Sequence, residues 1–222
     1  MGSLRRLLGA VLLVASPAFA QTESLDVRFG VWNALLTTAA LNDEATGPSL
    51  WLDVHGRRGP STGLLVRPGA GYRLTPWVSV WVGYGWMPVF DNDGARVDEH
   101  RVWQQAVFTR KTGAVSLQAR TRIEQRFGPE AGVGHRAREF VRAGWTPDSL
   151  PFGLVVWDEI FVGLNEQSWG PTAGFDQNRL FTGVSLPIPS KARFEMGYLM
   201  VYANRTPNQL THVLVMNVFV GL

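Results

Sequence analysis

The segment LQARTRIEQRF at 117–127 sets Gln118, Arg120, Arg122, Glu124 and Arg126 at every second position, with Leu117, Ala119, Thr121, Ile123, Gln125 and Phe127 between them. On an extended chain, alternate residues share a face, so guanidiniums and a carboxylate line one side. The chemistry of such a face is ion pairing, because a guanidinium fork matches a carboxylate in two parallel hydrogen bonds. The spacing recurs in Glu99 and Arg101, Arg136 and Arg138, Gln177 and Arg179, and Arg193 and Glu195, with Glu159 as a further acid. Each segment carries only a few of these charges. Partners directly opposite on adjacent strands stand about 4.5–5.5 Å apart, so pairing is expected to run between strands.

Other chemistries fare less well. The four His residues, His55, His100, His135 and His212, are far apart and show no HxH or HxxxH spacing, so no metal set is expected. Asp91-Asn92-Asp93-Gly94 opens like a calcium loop, but Glu99 falls too early to close one. His100, Asp176 and a serine supply the residue types of a hydrolase, yet no GxSxG occurs. Asp158 and Glu159 are adjacent, so on a strand they face opposite sides and cannot share a proton. The glycines of 63–71 and 129–134 lack the Lys-Ser/Thr ending of a phosphate loop. No catalytic residue and no cofactor is therefore assigned. With no Cys, thiol chemistry and disulfides are excluded.

The elements that carry these residues are strands. No window holds a helical period for three turns, whereas period two recurs between Gly, Pro, Asn and Asp clusters. Eleven segments result: 26–38, 49–58, 63–74, 77–87, 99–110, 114–127, 135–146, 152–163, 175–186, 191–204 and 209–222. Short connections at 75–76, 111–113, 147–151 and 187–190 alternate with longer ones at 88–98, 128–134, 164–174 and 205–208. That is the layout of an antiparallel up-and-down transmembrane barrel. Single-chain bacterial barrels have even strand numbers. The expectation is therefore ten to twelve strands, with twelve preferred through an extra strand hidden in 21–47.

Residues 1–20 read as a secretory signal segment: Arg5 and Arg6, a short apolar run over 7–15, and Ala18-Phe19-Ala20 before the cut. Residues 21–222 then form the barrel domain. Cleavage removes two of the 21 basic residues and leaves 19 against 18 acids, so nucleic-acid binding has no electrostatic footprint. Only Lys111 and Lys191 of those 19 are Lys. Alternation alone does not choose between a soluble barrel, apolar inside, and a membrane barrel, apolar outside. Three features favour the second: charges at mid-strand, Arg in place of Lys, and aromatic residues (Tyr72, Trp77, Tyr84, Trp86, Trp145, Tyr202) near strand ends, as interfacial girdles require. The bore would then hold Glu99, Arg101, Arg120, Arg122, Glu124, Arg126, Arg136, Arg138, Glu159, Gln177, Arg179, Arg193 and Glu195.

Several motifs strengthen this reading: LLVRPGAGYRL at 64–74, VWVGYGW at 80–86, EHRVWQQ at 99–105, RTRIEQRF at 120–127, DEIFVGLN at 158–165, FDQNRLFTGV at 175–184 and FEMGYL at 194–199. Across most of 50–220 the chain resembles the bacterial domain-of-unknown-function family DUF2490. The resemblance implies a β-barrel of the bacterial outer membrane and no established activity. The expected partners are membrane lipids and the cell's barrel-assembly machinery. The expected role is structural, or that of a narrow Arg-lined channel for small solutes. An outer-membrane lipid-modifying enzyme and a soluble periplasmic ligand-binding barrel are the alternatives.

Overall fold

The computed structural model describes residues 24–91, 93–169, 172–189 and 191–222; the expected signal segment lies outside them. The described chain is all-β: β1 Asp26–Ala40, β2 Gly47–Arg58, β3 Thr62–Thr75, β4 Val78–Phe90, β5 Arg96–Thr112, β6 Val115–Phe127, β7 Val133–Trp145, β8 Gly153–Gly163, β9 Gly174–Ile188, β10 Ala192–Ala203 and β11 Gln209–Gly221. Each strand pairs antiparallel with its sequence neighbour, and the sheet closes on itself where β1 meets β11.

Eleven strands lie within the expected range, one short of the twelve preferred. Among the described residues no extra strand precedes β2: 24–46 supply β1 alone. A meander with an odd number of strands brings its first and last strands together pointing the same way. The β1–β11 pairing is accordingly parallel, from Asp26 opposite Gln209 to Thr38 opposite Gly221. Backbone bonds from Leu222 to Thr38 (2.8 Å) and from Asp26 to Asn208 (2.8 Å) finish the seam at its two ends.

One rim carries the connections 41–46, 76–77, 113–114, 146–152 and 189–191; the other carries 59–61, 91–95, 128–132, 164–173 and 204–208. We call these the turn rim and the loop rim. The contrast in length is weaker than the sequence suggested, because 59–61 is a short turn on the loop rim. Asp91 tightens its hairpin by accepting the N–H groups of Asp93 (3.0 Å) and Ala95 (2.8 Å) through Oδ1. The calcium-like spacing is thus used for a turn.

Period-two patterning sets the faces. In β6, Arg122 and Glu124 are fully buried in the bore while Leu117 and Phe127 are exposed outside. The outer face of the other strands is likewise apolar, with Leu52, Val82, Val141, Ile160 and Leu214 all exposed. Tyr72, Trp77 and Trp145 lie outside near the turn rim. Tyr84 departs from the girdle expectation: it is the middle residue of β4, and its hydroxyl meets His100 Nδ1.

The bore is not uniformly polar. Trp51, Trp81 and Trp103 pack edge to face, with centroids 5.4 and 6.3 Å apart. On the opposite wall Val155, Phe181, Leu199, Val201, Val213 and Val215 form a second cluster against Trp32 and Trp157. These rings need glycine beside them. A Cβ on Gly69 would stand 2.6 Å from the Trp103 ring, and one on Gly83 would meet the same ring and the Pro68 carbonyl. A Cβ on Gly197 would stand 2.8 Å from Phe181. Gly69, Gly71, Gly83 and Gly197 of the 64–74, 80–86 and 194–199 motifs are thus sockets for side chains inside the barrel.

Candidate functional site

The two apolar clusters leave the middle of the bore to charge. Glu124, on β6, accepts from Arg136 Nη2 (2.6 Å) and Arg138 Nη1 (2.6 Å), both on β7, and Arg122 Nη1 stands 3.6 Å away. Arg138 continues to Glu159 on β8 through Nη2 (2.7 Å) and Nε (3.0 Å), and Glu159 also accepts from Arg120 (2.5 Å). Arg136 reaches on to Asp176 (3.2 Å), which takes Arg205 from the loop rim (2.8 Å). One connected network therefore runs from Arg120 across the bore to the loop rim.

Three smaller groups flank it. Glu99 accepts two parallel bonds from Arg126 (2.6 and 2.8 Å) and one from Arg101 (2.7 Å). Asp53 holds Arg67 in a fork (2.9 and 2.5 Å). Glu195 serves Arg142 (2.5 Å) and Arg193 (2.9 Å) near the turn rim. Pairing is therefore mixed. Glu124, Glu159 and the Arg126–Glu99 fork join different strands, whereas Arg101–Glu99 and Arg193–Glu195 are same-strand pairs two residues apart.

Guanidiniums outnumber carboxylates, and aromatic faces take the surplus. Arg122 donates to Gln105 Oε1 (2.6 and 2.9 Å) and lies 4.6 Å over Trp103. Among the described residues Arg179 forms no carboxylate pair: it lies 4.5 Å over Phe161 and 5.0 Å over Trp32. Arg57 covers Trp32 at 4.5 Å. The Nε atoms of Arg57 and Arg179 have no hydrogen-bond partner among the described residues. A cation held over an aromatic face gains about 2 kcal/mol when desolvated. Gln177 is buried in the same wall.

The sequence placed neither Asp53 and Arg67, nor Arg57, Asp176 and Arg142, in this network. The signal was present for the first pair: each is a lone charge in an otherwise apolar strand segment, LWLDV and LLVRP. The hydrolase set is not assembled. His100 is on the outer face with Tyr84, while Asp176 is committed to Arg136 and Arg205. Asp158 and Glu159 do part across the wall: Glu159 faces the network, and Asp158 faces out, accepting from Asn178 Nδ2 at 2.9 Å.

The mouths differ. At the loop rim, 165–169 folds over the 128–133 segment: Asn165 and Gln167 donate to the Val133 carbonyl (2.9 and 3.2 Å), and Trp169 lies under Arg126. At the turn rim a cavity of about 340 Å³ opens between Thr109, Lys111, Ser116, Gln118, Arg142 and Arg193.

The fold and site define a class: a closed β-barrel, apolar outside, whose bore is filled by aromatic rings and arginine–carboxylate pairs. Residues 29–212 match the family described as "Protein of unknown function (DUF2490)", and the chain belongs to that family. An uncharacterised protein of Methylorubrum extorquens is 33% identical over 168 residues, which is 71% of this chain and 72% of that one. No solved structure matches.

Proposed function

We propose that this protein is a bacterial outer-membrane β-barrel, delivered by a cleaved signal segment and inserted by the barrel-assembly machinery, whose bore is closed by its own ion-pair network. The carrying observation is the direction of the two faces: Arg122 and Glu124 inward, Leu117 and Phe127 outward. In water such an exterior would be a continuous aggregation surface; against acyl chains it is the low-energy arrangement. The shortest strand has 11 residues, enough for a tilted strand to cross, which takes about 9–11. At the level of Glu124 the bore is packed, since Arg122 and Glu124 have no exposed surface. Fractionation tests the location. The protein should stay with outer membranes through salt and carbonate washes and come off only in detergent; release by salt alone would overturn the reading.

A second reading, a narrow anion-passing channel, draws on Arg57 and Arg179, which pair with aromatic faces and with no carboxylate among the described residues, and on the basic cavity at the turn rim. Planar-bilayer recording separates the two. A closed bore gives no discrete currents. Discrete anion currents that disappear on neutralising Arg122 or Arg138 would establish the channel instead.

A further inference from the structure

Among the described residues, the outer face carries hydrogen-bonded pairs at Tyr84–His100 and Tyr198–His212, but its mid-strand carboxylates lie in one band. Gln104 is the middle residue of β5, Thr121 of β6, Glu139 of β7 and Asp158 of β8, and all four face outward. Asn178 and Gln125 extend the same band. These groups bond along the wall: Gln104 Nε2 to Gln125 Oε1 (3.1 Å), Thr121 Oγ1 to Glu139 Oε2 (2.7 Å) and Asn178 Nδ2 to Asp158. Each local bond leaves further donor or acceptor capacity pointing outward. The small residues Ala106, Ala119, Ala137 and Ala143 lie among them on the same outer face.

The rest of the wall is different at that height. Leu52 on β2, Val82 on β4, Met196 and Tyr198 on β10, and Leu214 on β11 are exposed and mostly apolar. Asn33 at the middle of β1 is used locally, accepting the Gly56 N–H at 3.1 Å. Carboxylates at the middle of a bilayer are costly and belong against protein. Small side chains allow close approach in hydrocarbon and polar ones act as glue there, as between membrane helices.

The band is also self-complementary. Its β5–β6 half offers the uncharged donors Gln104 and Gln125 beside Thr121, whose one O–H goes to Glu139 of its own chain; its β7–β8 half offers the acceptors Glu139 and Asp158. A two-fold axis parallel to the barrel axis, between β6 and β7, sets β5 against β8 and β6 against β7. Gln104 of one copy then meets Asp158 of the other, and Thr121 meets Glu139, all at one height. Such an isologous contact is the commonest way for identical chains to close. We propose that the β5–β9 face is the contact surface of a membrane-embedded homodimer, paired through this band. The inference rests on the membrane reading above.

The natural chain has no Cys, so single-cysteine cross-linking reads the face directly. In native outer membranes, Ala119→Cys and Ala137→Cys, which flank the Thr121–Glu139 pair, should shift to twice the monomer mass under a short thiol cross-linker. Leu214→Cys, on β11 across the barrel from β6 and β7, should not. Adding Glu139→Leu and Asp158→Leu to Ala119→Cys should abolish the doubled band while the protein stays folded in the membrane. The proposal is overturned by equal cross-linking from Leu214→Cys, by no cross-linking at 119 and 137 in membrane-inserted protein, or by an adduct of another mass. Protein found outside the membrane fraction would instead overturn the reading on which the proposal stands.

Discussion

Removing the Glu124 carboxylate tests whether the network holds the barrel together. Glu124 is fully buried and accepts from Arg136 and Arg138 at 2.6 Å each, with Arg122 at 3.6 Å. Breaking a buried pair from one side costs about 3–5 kcal/mol, because a charge is left without compensation. Two of the stranded guanidiniums keep another acid, Arg138 through Glu159 (2.7 Å) and Arg136 through Asp176 (3.2 Å). Arg122 keeps only Gln105 and the Trp103 face. Glu124→Ala should therefore fall at the lower end, about 3 kcal/mol. Urea unfolding in lipid vesicles, followed by tryptophan fluorescence, measures it. Asp98→Ala, in the exposed Arg96 pair on the loop rim, is the matched control and should leave the midpoint in place. If Glu124→Ala costs less than about 1 kcal/mol, the level of an exposed pair, the network is not what stabilises the bore.

Three further outcomes follow. Gly83→Ala should destabilise by about 1–3 kcal/mol through overpacking, since its methyl would meet the Trp103 ring and the Pro68 carbonyl; Gly85→Ala, whose nearest neighbour would be Arg101 Cβ at 3.6 Å, should be tolerated in the same unfolding assay. Leu52→Lys, outward near the middle of β2, should cost about 2–4 kcal/mol in bilayers, whereas a barrel folded in water would accept it without loss. Glu159→Gln should disturb Arg120 and Arg138 together, so its stability cost should fall by about 0.5–3 kcal/mol when measured in an Arg138→Gln background, the non-additivity of a shared network.

Much of the barrel was legible in the residues. The eleven period-two segments coincide with the eleven strands, and the alternation of β6 gives its inward and outward faces directly. Closure was not legible, because a parallel seam between β1 and β11 is a relation between distant strands with no local signature. Which inward residues meet was legible only in part. Alternation puts Glu124 and Arg138 on inner faces, but barrel curvature decides that Arg136 reaches Asp176, 40 residues on. The inward tryptophans were hidden for a different reason. Alternation puts Trp103 on the face of Glu99 and Arg101, but nothing local shows that Gly69, Gly71 and Gly83 vacate the space that Trp81 and Trp103 fill. The outward polar band escaped because each of its residues stands alone in an apolar strand, and only the shared mid-strand height of Gln104, Thr121, Glu139 and Asp158 joins them.

The central claim is that hydrocarbon covers this barrel while arginines occupy its axis. Fluorophores attached at Leu52→Cys, Val82→Cys and Leu214→Cys, all outward and near mid-strand, can be read against brominated lipids with bromine at graded depths. Strongest quenching by bromine near the bilayer centre at all three sites is the result the account predicts. Emission indifferent to lipid bromine, from protein that remains in the aqueous phase, would contradict it.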